Sequence, residues 1–223
     1  MPTRRFLRGI LKVAALSVIA VVAAATIQFG WAYLRTPQIV SQFERSTPLP
    51  FDPAQFSTVR CEWLLTVDDP TFYRHFGIDS KTRGAGDTTI NQGIVKFLFF
   101  DQFEPGLFRW RKVKQTIIAV AFNARVPKNE QLRLFVNAVY LGHRDDHDVR
   151  GFSHASEVYF GKPFATLNDE EYLELIDDRC PNKYDLTTHA SQNHERVERI
   201  KRLLARACEP ACVADVEYAS CAK

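Results

Sequence analysis

The sequence lacks several features that would place it in a common functional class. Its net charge is only +3 over 223 residues, which argues against a nucleic-acid-binding protein, because such proteins carry a dominant basic face. None of its five cysteines forms a Cys-x-x-Cys pair, so no zinc site is predicted. No stretch alternates apolar and polar residues at strand length, and no segment is repeated. The soluble part is therefore predicted to be mainly α-helical.

The cysteines that are present cluster at the C-terminus. Cys208, Cys212 and Cys221 lie in the last sixteen residues, which we treat as a separate tail over residues 208–223. If this tail lies outside the cytoplasm, one or two disulfides are expected. The odd total leaves at least one free thiol, and the pairing stays open.

A long apolar run occupies residues 13–34, which contain no charged side chain. As a helix it would extend about 30 Å, the thickness of a bilayer's hydrocarbon core. Trp31 and Tyr33 lie at its far end, where aromatic rings favour the membrane interface. Residues 1–12 form a basic tail with Arg4, Arg5, Arg8 and Lys12. We predict a single-pass anchor with its N-terminus in the cytoplasm and the main domain outside.

Two other interpretations of this run are open. It could be a cleaved signal peptide, with Ala23 and Ala25 as the small residues of the cleavage site. It could also be a buried core helix. The anchor is favoured because the run is longer than a typical signal core and follows a basic cluster.

The rest of the chain divides into a linker and a helical domain. Residues 35–56 contain four prolines and predict an extended linker. The domain is predicted over residues 57–207. Its first helix begins near Ser57, with Thr58 as the candidate cap, and a second begins at Pro70. A loop is expected over 101–108 and a charged loop over 144–150. Further helices are predicted over residues 88–100, 109–124, 129–141, 151–160, 168–176 and 193–207.

The stretch over residues 66–79, TVDDPTFYRHFGID, concentrates side chains that can do chemistry. Asp68 and Asp69 precede Phe72, and His75 follows it. A carboxylate beside a histidine can act as a general base or acid. A charged helix end followed by a turn is the alternative, and the stretch alone does not favour either.

Five blocks then occur in an order that resembles a known family. They are VDDPTFYRHFGID (67–79), GAGDTTINQGIVK (84–96), RKVKQ (111–115), LRLFVNAVYLG (132–142) and GFSHASEVYFGK (151–162). Together they resemble the peptidoglycan glycosyltransferases of glycosyltransferase family 51, especially the monofunctional biosynthetic transglycosylases. The resemblance implies a mainly α, lysozyme-like domain behind a membrane anchor.

The resemblance also implies a reaction and its partners. Family members polymerise lipid II: the acceptor's 4-hydroxyl attacks C1 of the growing glycan with inversion, and lipid pyrophosphate leaves. The implied partners are lipid II, the nascent glycan strand, the membrane and cell-wall synthesis proteins, with no nucleic acid. A divalent cation, Mg or Mn, is implied as an optional cofactor. The implied location is the bacterial inner membrane, with the domain in the periplasm.

Two positions of the family's catalytic carboxylates carry other residues here. Asp68 stands where the family has its general-base Glu, and its side chain is one methylene shorter. Gln115 stands where the family has a second Glu, and an amide cannot carry that charge. The resemblance still implies that Asp68 and Gln115 are the catalytic residues, and we expect both to face one cleft.

The resemblance implies a larger set of substrate-binding residues. Lys96, Arg111 and Lys114 would hold the pyrophosphate. Other interpretations are a solvated helix lysine for Lys96, lipid head-group binding for the basic patch, and a loop-fixing role for His75. The full set is Asp69, His75, Thr88, Thr89, Gln92, Lys96, Arg111, Lys112 and Lys114.

The main alternative function is a catalytically inactive member that binds lipid II, glycan or a cell-wall assembly partner. A lysozyme-like hydrolase using Asp68 and Asp69 is disfavoured, because adjacent residues do not flank one glycosidic bond. The acidic run RDDHD over 144–148 could hold a cation, but a solvated loop is the preferred interpretation.

Overall fold

The computed structural model of the protein describes residues 2–52, 56–100, 110–177 and 181–222. The predicted loop over 101–108 and Cys180 lie outside these ranges. The described elements are α1 (Pro2–Ser46), α2 (Thr58–Asp68), α3 (Ile90–Phe99), α4 (Trp110–Asn123), α5 (Lys128–Ala138), β1 (Tyr140–Arg144), β2 (His147–Arg150), α6 (Phe152–Phe160), α7 (Asp169–Asp177), α8 (Pro181–Tyr184) and α9 (Ala190–Leu204), with short 3₁₀ turns at Phe164–Thr166 and Ala219–Cys221. The mainly α-helical prediction is confirmed.

The first helix is longer than predicted. α1 contains the apolar run and is, among the described residues, the one helix long and apolar enough to cross a membrane. The prediction of an extended linker from residue 35 is wrong as far as Ser46, because α1 continues through Pro37. Packing explains the continuation: the Phe43 ring lies 5.5 Å from that of Phe97 on α3. These contacts offset the helix-breaking tendency of the proline.

The core forms where α3 packs against both α4 and α5, and where α1 packs against α4 and α3. α3 lies at its centre, with Ile90, Ile94 and Val95 fully buried. The extended segment after α1 is tied to this core by Asn137. Its side-chain amide donates to the Phe51 carbonyl at 2.6 Å, and its Oδ1 accepts from the Phe51 amide at 2.9 Å.

A short hairpin replaces a predicted helix end and loop. We predicted a helix to Leu141 and a loop over 144–150, whereas β1 and β2 pair antiparallel with His143 opposite Asp148. The turn residues Asp145 and Asp146 have φ values of 48° and 62°. Asp tolerates this left-handed conformation, which tight hairpin turns require. The five side chains over residues 144–148 are exposed, and none of them belongs to the group of described side chains whose metal-ligand atoms converge.

The segment after α2 also differs from its prediction. The helix expected from Pro70 does not form, and residues 70–79 make successive turns. Asp79 stabilises them by accepting from the amides of Lys81 and Thr82 at 2.8 and 3.1 Å. These local bonds offer the backbone an alternative to a helix. Similarly, α2 is capped by Ser57 rather than by Thr58.

The C-terminal tail packs back onto the domain. Cys208 and Cys221 form a disulfide, which confirms a bridge in the tail, while Cys61 and Cys212 are free thiols. Three arginines spaced three residues apart on α9 hold the tail's backbone. Arg196, Arg199 and Arg202 donate to the carbonyls of Val216, Glu217 and Cys221, respectively.

Candidate functional site

A cleft of about 960 Å³ opens beside α3. Its walls come from the end of α1, the glycine-rich loop before α3, α3 itself, the end of α5, the hairpin, α8, α9 and the tail. The second and fourth sequence blocks therefore face one space, although they are about 45 residues apart in the chain.

The cleft is more basic than acidic. Its described lining includes four cations and two carboxylates, namely Lys96, Arg150, Lys183, Arg196, Asp87 and Glu217. Apolar side chains such as Phe43 and Phe97 form another part of the wall. A cleft with this composition can hold a molecule that has both an anionic group and an apolar part.

Asp69 and His75 form a buried network beside the cleft. The His75 Nδ1 accepts a hydrogen bond from the Gly77 amide at 3.0 Å, so its Nε2 carries a proton and donates to Asp69 at 2.9 Å. Asp69 also accepts from the Ile90 amide at 3.0 Å, at the N-terminus of α3. These bonds join His75 to the turn after it and to the end of α2. Neither residue lines the cleft, which leaves their predicted substrate-binding role without geometric support.

Asp68 is buried rather than open to the cleft. It is the last residue of α2, is 1% exposed and is absent from the cleft lining. Burial raises the pKa of Tyr172, and Asp68 adds to this effect. Burial lowers the pKa of Arg196, while Tyr218 and Asp68 oppose that change. Arg196 lines the cleft, and it also interacts electrostatically with Asp68.

The second block fixes the start of α3. Thr89 is the N-cap: its Oγ1 accepts from the Gln92 amide at 3.2 Å, and the Gln92 Oε1 accepts from the Thr89 amide at 3.2 Å. This reciprocal capping box satisfies two backbone donors. Thr88, Thr89 and Lys96 line the cleft as predicted for substrate contacts, whereas Gln92 does not. The geometry gives Gln92 a capping role.

The third block lies on α4, with its residues on different faces. Lys112 donates to the Asp87 carbonyl at 2.6 Å and to the Thr88 Oγ1 at 2.9 Å, so it holds the loop that forms one cleft wall. Arg111 and Lys114 are exposed. The Lys114 ammonium lies 5.7 Å from the centre of the Phe100 ring, and Phe100 lines the cleft.

Gln115 is fully buried on the same helix. Its exposure is 0%, and its Nε2 donates to the Gln92 carbonyl at 2.6 Å. Within the described part of the chain, its Oε1 has no hydrogen-bond partner. Neither Asp68 nor Gln115 lines this cleft, so the expectation that the two face one cleft finds no support in its lining. Both side chains are buried in the domain.

The comparisons with known proteins decide the family. The family model for transglycosylases matches residues 37–206. The chain belongs to this family. The match confirms the glycosyltransferase family 51 resemblance and the lysozyme-like helical fold that it implied. The match also begins inside α1, in the segment predicted as linker.

Several penicillin-binding proteins are similar to this transglycosylase-family chain. Penicillin-binding protein 1B of Vibrio cholerae is 27% identical over 190 residues, which cover 77% of this chain and 24% of the relative. Penicillin-binding protein 1B of Escherichia coli K12 is 32% identical over 134 residues, which cover 54% of this chain and 16% of the relative. Penicillin-binding protein 1A of Pseudomonas aeruginosa is 27% identical over 191 residues, with 77% and 22% covered. The matched region thus spans at most about a quarter of these relatives.

The sequence analysis missed several cleft residues of this family member. Arg150, Lys183 and Arg196 line the cleft together with Glu217. Arg150 belongs to a run that we interpreted as a solvated loop, and Arg196 to an amphipathic basic helix. The sequence shows that these residues are basic, but it does not show that their side chains point into the cleft. Glu217 lies beyond the family match, so no block indicated it.

The described residues do not fit a divalent cation in the cleft. The one group of described ligand side chains whose donor atoms converge within 4.8 Å is Glu170, Glu174 and His194. None of these lines the cleft, and Glu170 already pairs with Lys201 at 2.9 Å. Asp87 and Glu217 do not form such a group. We therefore derive no catalytic step through a cation.

Proposed function

We propose that the protein is a membrane-anchored peptidoglycan glycosyltransferase that polymerises lipid II with reduced turnover. The observation that supports this proposal is the basic cleft beside α3, formed in part by the family's second and fourth blocks. Phe43 and Thr47, near and just beyond the end of the apolar helix α1, contribute to the same cleft. A lipid-linked substrate needs such a connection between membrane and site.

Binding of the leaving group is assigned to the basic residues of the cleft. The pyrophosphate of the donor would lie against Lys96 and the Thr88 hydroxyl. Lys112 would support it indirectly by holding the Asp87–Thr88 backbone and side chain in place. Cations placed where negative charge develops stabilise the transition state more than the ground state. Arg111 and Lys114 would contact lipid head groups from the exposed face of α4.

The transfer step forms one bond and breaks one. The acceptor's 4-hydroxyl oxygen bonds to C1 of the donor sugar as the bond from C1 to the pyrophosphate oxygen breaks. The hydroxyl proton passes to a carboxylate, for which Asp68 holds the family's position. Because Asp68 is 1% exposed, the side chains packed over it must shift before that proton transfer. This requirement, with the shorter side chain, is why reduced turnover is proposed.

A second function is favoured by the same burial. With Asp68 and Gln115 both outside the cleft, the protein would bind lipid II or glycan without polymerising it. The cleft's cations serve binding equally well in either case. Cell-wall synthesis proteins are the proposed partners of such a binding protein at the inner membrane.

Purified full-length protein incubated with lipid II distinguishes the two functions. Glycan polymer that disappears in Asp68→Ala supports the transferase. Tight lipid II binding without polymer supports the binding protein, as does no gain in an Asp68→Glu variant that unfolds at the wild-type temperature. Lys96→Ala should weaken lipid II binding in both cases. Lys81→Ala is the matched control, because Lys81 is exposed and does not line the cleft.

A further inference from the structure

The C-terminal tail contributes to the cleft although it lies outside the family match. The match ends at residue 206, whereas Val216 and Glu217 of the tail line the cleft. One wall is therefore a feature of this chain rather than of the five family blocks. A side chain on that wall can change what the cleft accepts.

The backbone around Glu217 is held on both sides. Arg196 donates to the Val216 carbonyl from Nε and Nη2 at 3.1 and 2.6 Å, and Arg199 donates to the Glu217 carbonyl at 3.2 Å. On the other side, Tyr218 is 1% exposed and its hydroxyl donates to the Val67 carbonyl at 2.9 Å. Glu217 is thus presented from a fixed backbone, which reduces the entropy lost when its side chain binds a ligand.

The tail also packs closely against the glycine-rich loop of the second block and is hydrogen-bonded to it. The amides of Gly84 and Gly86 donate to the carbonyls of Cys212 and Val213 at 2.9 Å each. A Cβ on Gly86 would lie 2.7 Å from the Val216 Cγ1. Glycine is therefore required at this position for the tail to approach, and the tail and the loop form one continuous wall.

The Glu217 carboxylate has the chemistry of a saccharide contact. Its Oε1 accepts from the Lys183 ammonium at 2.5 Å, and its side chain keeps 32% exposure at the cleft. An ionised carboxylate only accepts hydrogen bonds and can accept several at once. The adjacent hydroxyl groups of a sugar ring can donate such bonds. We propose that Glu217 is a specificity-determining residue that accepts hydrogen bonds from saccharide hydroxyls of a glycan in the cleft. This inference rests on the proposed function, because it identifies the glycan part of the same substrate.

A soluble oligosaccharide of the glycan strand, without lipid or pyrophosphate, tests this role. Binding to full-length protein in detergent is measured by calorimetry for wild type, Glu217→Ala and Glu217→Gln. Charge-assisted hydrogen bonds are strong, so Glu217→Ala should bind about 10-fold more weakly or worse. Glu217→Gln should lose less, because its amide oxygen still accepts. Glu209→Ala is the matched control: it removes an exposed glutamate from the same tail, away from the cleft.

Hydrogen exchange separates a contact from a structural effect. The Gly84 and Gly86 amides should exchange at the same rate in Glu217→Ala as in wild type, because the α9 arginines still hold the tail. Faster exchange there together with weaker binding would show that Glu217 only supports the wall, which overturns the inference. Unchanged binding in Glu217→Ala, or no oligosaccharide binding by wild type, also overturns it. Oligosaccharide binding that depends on Glu217, without polymer from lipid II, supports the inference and refutes only the transferase.

Discussion

Asp68 and Gln115 occupy the positions that the family uses for two carboxylates, and both are buried here. Gln115 is used structurally, because its amide donates to the Gln92 carbonyl and links α4 to the start of α3. A neutral amide is suited to that place, whereas an ionised carboxylate would face a carbonyl oxygen. Asp68 remains a carboxyl residue but is 1% exposed. Among the described residues, the carboxylates that line the cleft are Asp87 and Glu217.

Replacing Gln115 with the family's residue should destabilise the protein. In Gln115→Glu the donor to the Gln92 carbonyl is lost and a buried charge is added, which we expect to cost about 2 kcal/mol or more at pH 7. Burial would raise the pKa of the introduced acid, so the loss should shrink as pH falls and the acid becomes a donor. Thermal unfolding at pH 7 and pH 5 measures this.

The exposed neighbour provides the control for that experiment. Lys114→Glu changes charge on the same helix without burial and should leave the unfolding temperature nearly unchanged. A Gln115→Glu variant as stable as wild type at pH 7 would contradict the structural role.

Lys128 gives a second test at this scale. Its ammonium is buried against the Phe72 ring at 4.5 Å. Burial lowers its pKa to about 8, with Asp69 acting in the opposite direction. In the unfolded chain the pKa of this side chain is about 10.4. Between the folded and the unfolded pKa, the unfolded chain therefore binds more protons than the folded one. Wild type should therefore gain stability relative to Lys128→Met as pH rises from about 8 to 10.

Unfolding measured across that pH range checks the prediction. Lys81→Met serves as the control, because it removes the same charge from an exposed position. Parallel stability curves for wild type and Lys128→Met would contradict a lowered pKa for Lys128.

At the scale of elements, the tail and α9 form one unit with the glycine-rich loop. The arginines of α9 hold the tail's carbonyls, and the tail's carbonyls accept from the loop's glycines. The disulfide between Cys208 and Cys221 closes this segment on itself. A cross-link of this span reduces the conformational freedom of the released tail more than that of the packed tail. It therefore favours the packed tail.

Removing the disulfide should release the tail before it affects the helical core. In Cys208→Ser combined with Cys221→Ser, the Gly84 and Gly86 amides should exchange about 10-fold faster or more, while those of α3 stay protected. Hydrogen-exchange mass spectrometry measures both regions. Cys212→Ser is the control, because Cys212 is a free thiol in the same tail. Equal protection in the double variant would show that the arginines alone hold the tail.

At the scale of the whole molecule, α1 joins an apolar segment, long enough to cross a membrane, to the domain. Its first part is apolar and exposed, whereas residues such as Ala32, Thr36 and Val40 are buried against the domain. The charge on the N-terminal side and the apolar length are properties that orient a single span. With the apolar part in a membrane, as proposed, a continuous helix between the two parts would hold the cleft near the membrane surface rather than on a flexible tether.

Cysteine labelling should show the N-terminus inside and the domain outside. In a background with Cys61→Ser, Cys180→Ser and Cys212→Ser, a membrane-impermeant maleimide should label Ser46→Cys in intact spheroplasts. Thr3→Cys should react only after lysis. Labelling of both positions before lysis, or loss of the N-terminal segment in the mature protein's mass, would refute the anchored topology.

The sequence by itself determined the features that depend on local pattern. The apolar run, most helices, the absence of long strands and the five ordered blocks are readable within short windows, and they were sufficient for the family and the mainly α fold. The effect of prolines on the helix boundaries was less well predicted. Pro37 and Pro70 were both interpreted from local preference, and packing or side-chain bonds decided otherwise.

Only the tertiary structure decided which side chains face the cleft. Asp68 and Gln115 have the right positions in the blocks, but both are buried and neither lines the cleft. Glu217 enters it because Tyr218 bonds to Val67, a contact between residues 151 positions apart. No window of sequence contains both partners of such a contact, since the direction of a side chain depends on every element packed around it.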